Sequence, residues 1–496
     1  MRLTARTSCW PLLATLCLLS WLLSACATNP VTGGSDFVLM SEAQEISLGR
    51  QYNDEILKEM PPYHDPVLEE LVKRVGEKLA SHSHRPWLDF TFTIVDSSQV
   101  NAFALPGGYV YVTRGMLAYL NSEVELAAVL GHEIGHVTAR HSVRQQSTSA
   151  VTGLIGAVVA ASSGIQGVDS LTNMAGTAIV RGYGREHELE ADRLGAEYLA
   201  RSGYDPEAML QVVGILKNQE AFEVQVAREE GRQANVYHGL FSTHPDNDAR
   251  FREAVAAARQ YKTTGNPRIG RDSYLLRLDG LTFGESEREG VVRDHHFYHK
   301  ALNISVTFPE GWELNNRTSS LIAIPAAKDG FIQMTLAANN QHLSPRQFMQ
   351  RQLQTSSLRQ GKSFSAHGLQ GYSAVTSGDT PFGTRRIRYA VINRGDDSYI
   401  FASTARSTDR SARYDQALLA TAKSLHKLSA KEKRLASEQK LDIIRTPKGA
   451  SWASLARKSP LANHAEEQLR LLNDQYPHGE PEHSRIIKIV HQAADF

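Results

Sequence analysis

The sequence is poor in cysteine, with three in 496 residues. Cys9 and Cys17 lie in an N-terminal segment, residues 1–25, and Cys26 follows that segment directly. A chain that loses the segment keeps one cysteine and has no second thiol with which to form an internal disulfide. A small fold held together by disulfides is therefore excluded.

An excess of charge of one sign is also missing. The chain has 54 Lys and Arg against 53 Asp and Glu, a formal net charge of +1. This balance gives no electrostatic basis for binding nucleic acid or an anionic membrane surface. The contents of 41% hydrophobic and 22% charged residues are typical of soluble globular domains. A chain of this length is expected to form about two to four such domains.

One apolar run, WPLLATLCLLSWLLSAC at residues 10–26, stands out from this composition. It follows Arg2 and Arg6 and ends in small residues, which is typical of a secretory signal and too short for a comfortable membrane span. The string LSAC resembles a bacterial lipobox, whose cysteine is lipidated; a plain signal peptide cut elsewhere is the alternative. Ala27 after the cysteine resembles the outer-membrane address of Gram-negative lipoproteins. We therefore expect a periplasmic lipoprotein of a Gram-negative bacterium, anchored in the outer membrane through acyl chains on Cys26.

Changes in periodicity divide the rest of the chain into segments. Ser41 is an N-cap candidate for a helical pattern that continues, with two short strand-like stretches, to about residue 260. Within it, residues 151–180 carry one charge and are interrupted by Ser, Gly and Gln, which favours a buried helical pair over a membrane-inserting hairpin. Later stretches such as ALNISVTFPEGW and TRRIRYAVINRG alternate like strands. We expect an α+β multidomain chain made of a signal peptide (1–25), a lipidated leader (26–40), a mainly helical domain with a small β-sheet (41–262), a linker (263–294), an α/β sandwich domain (295–430), a charged connector (431–440) and a small βααβ module (441–496).

The helical domain contains GHEIGHVTARH, an H-E-x-x-H string. Positions i and i+4 share a helix face, so His132 and His136 can present two imidazoles to one cation. Glu133 neighbours them and can reach a metal-bound water without being a ligand. Zinc fits best, because catalytic zinc sites use three protein ligands and keep one position open. Gly131 and Gly135 would let another backbone approach this helix closely.

A third ligand must come from elsewhere in the chain. The metzincin pattern fails because Ala139 and Ser142 replace its glycine and its last histidine. His141 is one residue away from that position, which indicates a structural residue or one that supports a ligand. The later helix REHELEADRLGAEYLA offers Glu186, Glu188 and Glu190 on different faces. Glu188 shares a face with Asp192 at i, i+4, so we predict Glu188 as the metal ligand and Asp192 as the acid that orients a ligand histidine.

HEIGHVTARH followed by ELEADRLG resembles zinc metallopeptidase family forty-eight, a gluzincin family that includes the CAAX prenyl proteases, the HtpX membrane proteases and periplasmic quality-control proteases. NPVTG, NAFALPGGYVYVTRGML and STHPDNDAR resemble its soluble lipoprotein branch, so the match extends over about residues 28–260. The resemblance implies one Zn²⁺ per chain, and its E-x-x-x-D signature falls on Glu188 and Asp192. It also implies a metalloendopeptidase in which Glu133 activates a zinc-bound water. The transmembrane helices and the tetratricopeptide tail of other members are not evident in this sequence.

His244, in the string STHP, is a further catalytic candidate. In the lipoprotein branch the matching histidine lies near the zinc, either as a transition-state stabiliser or as a fourth ligand that closes the resting enzyme. The alternative is an ordinary surface histidine before a proline. The segment FALPGGYVYV could offer an edge strand to an extended peptide, or be an ordinary core hairpin.

The segments beyond the helical domain carry weaker resemblances. SVTFPEGWEL and AKSLHKLS resemble a PsbP-like sandwich, which implies contact with substrates or partners. TPKGASWASLARKS and the positions of Trp452 and Asn473 resemble a degenerate LysM module, which implies peptidoglycan binding; a structural cap is the alternative.

These observations predict a zinc-dependent endopeptidase that hydrolyses misfolded or unassembled cell-envelope proteins, with those proteins as its partners and no nucleic acid. Two other functions remain open. One is a non-catalytic assembly chaperone or scaffold at the outer membrane, and the other is a peptidoglycan-associated hydrolase guided by residues 441–496.

Overall fold

The structure is a computed structural model that describes residues 26–148, 183–231, 234, 252–253, 255–256, 269–317, 319–355 and 357–493. The predicted signal peptide, the segment 151–180 and His244 lie outside the described residues. Within the described part, no helix is long and apolar enough to cross a membrane.

Helices dominate the first half of the described chain. Their bounds are Glu42–Glu59 (α1), Pro66–Ser81 (α2), Arg114–Tyr119 (α3), Glu123–Thr138 (α4), Arg185–Arg201 (α5) and Ala208–Glu229 (α6). Local sequence explains the starts of α1 to α4, because a side chain at each of these caps satisfies free backbone N–H groups. The Ser41 hydroxyl accepts a hydrogen bond from Gln44 N, and the side-chain oxygen of Gln44 accepts one from Ser41 N. The predicted N-cap of α1 is therefore confirmed. Asp65 caps α2 ahead of Pro66, and Ser122 caps α4 by accepting from Glu125 N.

Three short strands accompany these helices, at Thr91–Val95 (β3), Ala102–Leu105 (β4) and Tyr109–Thr113 (β5), after a first hairpin of Cys26–Thr28 (β1) and Ser35–Phe37 (β2). Their order in the sheet is β3-β5-β4, with β5 parallel to β3 and antiparallel to β4. Strand β4 therefore lies at an edge, and α4 packs against it.

The later elements include one large sheet. The helices are Arg271–Leu275 (α7), Pro345–Gln352 (α8), Ser411–Ser424 (α9), Ala430–Leu435 (α10), Trp452–Ala456 (α11) and Ala465–Leu472 (α12). The strands are Thr282–Phe283 (β6), Val291–Arg293 (β7), His296–His299 (β8), Ile304–Thr307 (β9), Trp312–Arg317 (β10), Ser320–Pro325 (β11), Gly330–Ala338 (β12), Arg359–Ala366 (β13), Leu369–Thr380 (β14), Gly383–Arg394 (β15), Asp397–Ala405 (β16), Gln439–Arg445 (β17) and Ile486–Gln492 (β18).

The seven-stranded sheet is antiparallel throughout, in the order β10-β11-β12-β16-β15-β14-β13. Strands β11 and β12 alternate buried and less buried residues, as the sequence pattern predicts. Leu418 and Phe401 belong to a core beneath α9, whereas Phe348 and Val391 belong to a separate core beneath α8. The mixed α+β, multidomain character predicted for the chain agrees with this arrangement.

The last elements run β17, α11, α12 and β18, and β17 pairs with β18 in antiparallel orientation. On its other side β17 pairs with β6, which lies in the predicted linker 263–294. These elements share one hydrophobic core with the helical part, to which both contribute buried side chains: Leu126, Leu130 and Leu199 from the helical part, and Leu441, Trp452, Leu469 and Ile487 from the C-terminal segment.

Candidate metal centre

Helix α4 presents two histidines from the same face at the centre of the helical part. All sixteen residues of α4 are buried, so its polar side chains must meet partners inside the protein. The Nε2 atoms of His132 and His136 lie 3.0 Å apart. The i, i+4 spacing thus places the two rings side by side, as the motif predicts.

Helix α5 supplies the acidic residues. Glu188 is fully buried, with one oxygen 3.6 Å from His132 Nε2 and the other 3.6 Å from His136 Nε2. Asp192, one turn later, has Oδ1 2.9 Å from His132 Nδ1. Glu186 is exposed on the same helix, and Glu190 faces His141 instead. Of the three candidate glutamates, the structure brings Glu188 to the histidine pair.

Glycines allow α4 and α5 to approach closely enough for this arrangement. A methyl group on Gly135 would lie 2.8 Å from the backbone oxygen of Ala191, and one on Gly195 would lie 3.0 Å from His132 N. Both distances are shorter than normal contacts, so larger residues would push the helices apart. The close backbone approach predicted for Gly131 and Gly135 is confirmed.

The donor set fits a zinc ion. Ligand atoms of His132, His136 and Glu188 all lie within 4.8 Å of one another, and all three residues are buried. Two imidazole nitrogens and one carboxylate oxygen are a ligand set of catalytic zinc sites. Glu133, on α4 between the two histidines, is also fully buried. A buried carboxylate beside two imidazoles can accept a proton close to the ion.

Tyr183, which the sequence motifs did not single out, stacks on His136 with ring centroids 4.1 Å apart and planes 18° from parallel. Its hydroxyl lies 2.6 Å from Ser142 Oγ. Burial raises the pKa of Tyr183, and the nearby carboxylates of Glu133 and Glu188 raise it further, so the phenol is neutral. The sequence did not indicate this residue, because a single tyrosine before a charged helix matches no motif. Tyr183 reaches His136 only when α5 packs against α4.

His141 lies behind His136, away from the histidine pair. Its Nδ1 is 2.8 Å from His136 Nδ1, and its Nε2 is 3.1 Å from a carboxylate oxygen of Glu190. Burial lowers the pKa of His141, so the ring is neutral near pH 7. Burial alone would raise the pKa of Glu190, but hydrogen bonds from His141 and Arg144 lower it to about 2. His141 thus contacts a predicted ligand without facing the metal position.

A small open cleft borders the centre beside His136. Leu105 at the end of β4 lines one wall, and Arg140 and Tyr183 line others. Beneath it, the fully buried Arg85 donates to Glu45 Oε1 at 2.8 Å and to Val137 O at 3.1 Å. Arg140 Nε donates to the other oxygen of Glu45 at 2.8 Å. This buried group of Glu45, Arg85 and Arg140, called the Glu45 triad below, ties α1 to the C-terminal end of α4.

A buried helix pair that brings an H-E-x-x-H motif and a glutamate to one point defines a gluzincin-type metallopeptidase centre. Residues 66–258 match the model of peptidase family M48. Residues 66–258 are therefore similar to the metallopeptidase domains of family M48, in agreement with the resemblance.

Several curated proteins are similar to the chain. The beta-barrel assembly-enhancing protease of Escherichia coli (strain K12) is 31% identical over 279 residues, which cover 54% of this chain and 54% of that protein. A putative beta-barrel assembly-enhancing protease of Vibrio cholerae is 34% identical over 231 residues, covering 44% of this chain and 45% of that protein. The mitochondrial metalloendopeptidase OMA1 of Saccharomyces cerevisiae is 27% identical, covering 45% of this chain and 66% of that protein. The chain spans about half the length of the curated bacterial relatives it matches.

Solved structures give weaker matches. The solution structure of cyanobacterial PsbP from Synechocystis sp. PCC 6803 is 12% identical and covers 28% of this chain and 96% of that chain, with a TM-score of 0.22. LpqN of Mycobacterium tuberculosis is 14% identical and covers 25% and 81% respectively, with a TM-score of 0.19. TM-scores this low carry no conclusion about the sheet region.

Proposed function

We propose that the chain is a zinc-dependent endopeptidase that hydrolyses peptide bonds of misfolded or unassembled cell-envelope proteins. The observation that carries this proposal is the convergence of His132, His136 and Glu188 within 4.8 Å beside the buried Glu133. The match to family M48 supports the reaction class. The name of the Escherichia coli relative, which refers to β-barrel assembly, supports envelope proteins as substrates.

Zinc would be held by His132 Nε2, His136 Nε2 and a carboxylate oxygen of Glu188. When bound, it supplies a Lewis acid that polarises the scissile carbonyl and lowers the pKa of water. Glu133 acts as the general base that takes the proton of the attacking water and returns it to the departing amine. Asp192 holds the His132 ring through Nδ1, which leaves Nε2 directed at the ligand position. His244 remains a proposed stabiliser of the oxyanion, or a fourth ligand of the resting enzyme.

We further propose that the chain works at the periplasmic side of the outer membrane, with residues 1–25 as a signal peptide and Cys26 as the lipidated residue. The lipobox-like string LSAC supports this assignment. The boundaries 41–262, 295–430 and 441–496 are proposed with it, and 441–496 shares its hydrophobic core with 41–262.

For residues 441–496 we favour a structural cap over a glycan-binding module. Trp452 is fully buried in the core shared with the helical part. Asn473 is buried as well, and its side chain donates to Leu469 O and Lys488 O at 2.9 Å each. Both residues that carried the LysM resemblance are thus used in packing.

The test compares Glu133→Gln, Glu188→Gln and the exposed Glu186→Gln in the full chain, by zinc content and by cleavage of unfolded casein. Glu133→Gln should keep about one zinc per chain and lose activity by about 10²–10⁴-fold, since it removes the general base. Glu188→Gln should lose zinc as well as activity, whereas Glu186→Gln should match wild type. Full activity of Glu133→Gln, or a wild-type protein without bound zinc, would refute the endopeptidase proposal. Rescue of a deletion strain by an inactive Glu133→Gln would favour the chaperone alternative.

A further inference from the structure

We propose that His141 and Glu190 are positioning residues, which together hold the His136 ring with its Nε2 directed at the metal position. This inference rests on the zinc site proposed above. It assigns a role to a histidine that is neither a ligand nor part of the H-E-x-x-H motif.

The first step is the proton arrangement along this row of side chains. A neutral His136 that coordinates through Nε2 carries its hydrogen on Nδ1. That hydrogen points to His141 Nδ1, 2.8 Å away, which must therefore be the acceptor. The hydrogen of His141 is then on Nε2, where it can be donated to Glu190 at 3.1 Å. One assignment of tautomers thus satisfies both contacts and leaves His136 Nε2 free of hydrogen.

The carboxylate at the end of the row is itself held in place. Arg144 Nη1 donates to the same Glu190 oxygen at 2.7 Å, and Arg144 Nε lies 3.6 Å from Asp36. Glu190 is therefore fixed between a histidine and a guanidinium. A fixed acceptor orients the His141 ring, and His141 in turn orients His136.

The path of the backbone after α4 explains why His141 lies between His136 and Glu190. Helix α4 ends at Thr138, and Arg140 adopts a left-handed conformation, with φ of 55°. This reversal brings His141 back against His136, with ring centroids 4.9 Å apart and planes at 72°. His141 is fully buried, and His187 stacks on it at 4.4 Å.

The two candidate ligand histidines therefore receive different support from the same helix. His132 contacts Asp192 directly at 2.9 Å. His136 reaches Glu190 only through His141. Since both carboxylates lie on α5, which also carries Glu188, one helix supplies a ligand and the outer support of both histidines.

The test measures zinc affinity by competition with a chromogenic chelator, together with the visible absorption spectrum of the cobalt-substituted protein. His141→Phe keeps an aromatic ring at this position but removes the acceptor for His136 and the donor to Glu190. Zinc affinity should fall by about 10–100-fold, and the cobalt spectrum should change because the His136 ring is no longer fixed. His141→Gln, whose amide can accept and donate, should recover part of the lost affinity. His187→Phe is the matched control, because it keeps the stacked ring outside the row, and it should bind zinc as wild type does.

If His141→Phe does not fold, Glu190→Leu tests the same positioning role. It should also weaken zinc binding. Unchanged zinc affinity and an unchanged cobalt spectrum in a folded His141→Phe or Glu190→Leu protein would overturn the positioning role. The proposed function would survive that result, provided that wild type binds zinc and Glu133→Gln is inactive. Absence of zinc in wild type would instead reject the proposed function.

Discussion

Two regions of this chain bury polar groups of different kinds. In the metallopeptidase part, the buried polar side chains include Glu45, Arg85, Glu133 and Glu188. In the sheet region, residues 304–425, the buried polar side chains that the structure describes are serine, threonine and asparagine. Removing a charge from water costs several kcal/mol unless partners compensate, whereas a buried hydroxyl needs only a hydrogen bond.

The difference separates a region that holds the candidate metal centre from a region whose interior is stabilised by packing of neutral side chains. The buried charged residues that the structure describes are concentrated around α4 and α5, as expected where a metal centre needs ionised ligands and each ligand needs a fixed partner. The sheet region places its ion pairs nearer its surface, as with Arg386 and Asp415. We therefore expect substitutions of charged residues to be costly in the first region and mild in the second.

The largest effect on the free energy of unfolding is expected at the Glu45 triad, which can be compared with the group of Asp415, Arg386 and Arg388 in the sheet region. Glu45→Gln leaves Arg85 and Arg140 buried without their shared carboxylate, so the free energy of unfolding should fall by about 3–5 kcal/mol. Asp415→Asn removes the carboxylate that lies 2.6 Å from Arg386 and 2.7 Å from Arg388, both of which keep some exposure. That loss should be about 1 kcal/mol or less. Urea unfolding of both variants measures the contrast, and equal losses would remove the distinction between the regions.

A smaller effect is expected at the contact between α4 and α5. Gly135→Ala places a methyl group 2.8 Å from Ala191 O, so the protein should lose about 1–3 kcal/mol and bind zinc more weakly. Gly214→Ala is the matched control, because it lies within α6 and has no atom within 4 Å of the added methyl group. It should stabilise the protein by about 0.4–1 kcal/mol. Thermal unfolding and zinc titration measure both, and a neutral Gly135→Ala would show that the helices can separate without cost.

The smallest effect concerns the pH dependence contributed by Lys488, whose Nζ donates to Ala118 O at 2.7 Å and Leu120 O at 2.9 Å. Burial lowers the pKa of Lys488 from 10.5 to about 7, although nearby Glu125 opposes the shift. Between these values the unfolded chain binds more protons than the folded chain, so this lysine makes the free energy of unfolding rise with pH.

Lys488→Met should remove that rise. Urea unfolding at pH 7 and pH 9 should show a smaller gain for Lys488→Met than for wild type. Lys440→Met, on the neighbouring strand β17, should keep the full gain because Lys440 is partly exposed. The same pH dependence in wild type and in Lys488→Met would contradict the burial of an amine at this position.

The sequence predicted the similarity to family M48 from its motifs, and the proximity of His132 and His136 from local helical spacing. It selected Glu188 because this residue shares a helix face with Asp192 and matches the E-x-x-x-D signature of the family. It also predicted strands in the sheet region from the alternation of apolar and polar residues, but not their order or orientation. It did not single out the Glu45 triad or Tyr183, since their partners lie far apart in the chain and match no spacing rule. Nor did it predict that Lys488 would contact Ala118, 370 residues away. Contacts of this kind depend on how complete elements pack, which local periodicity does not contain.

The pairing of β6 with β17 has a consequence for the order in which the protein is assembled. Phe283 lies opposite Gln439, so the chain leaves this small sheet and returns to it at adjacent strands. Residues 284–438 are thus a topological insertion, and the metallopeptidase core is built from two separated stretches of sequence. During synthesis, the helices that carry His132 and Glu188 emerge long before Leu469 and Ile487, with which their surroundings share a core. The catalytic region therefore cannot reach its final packing as an independent N-terminal unit while the ribosome is still translating the insertion.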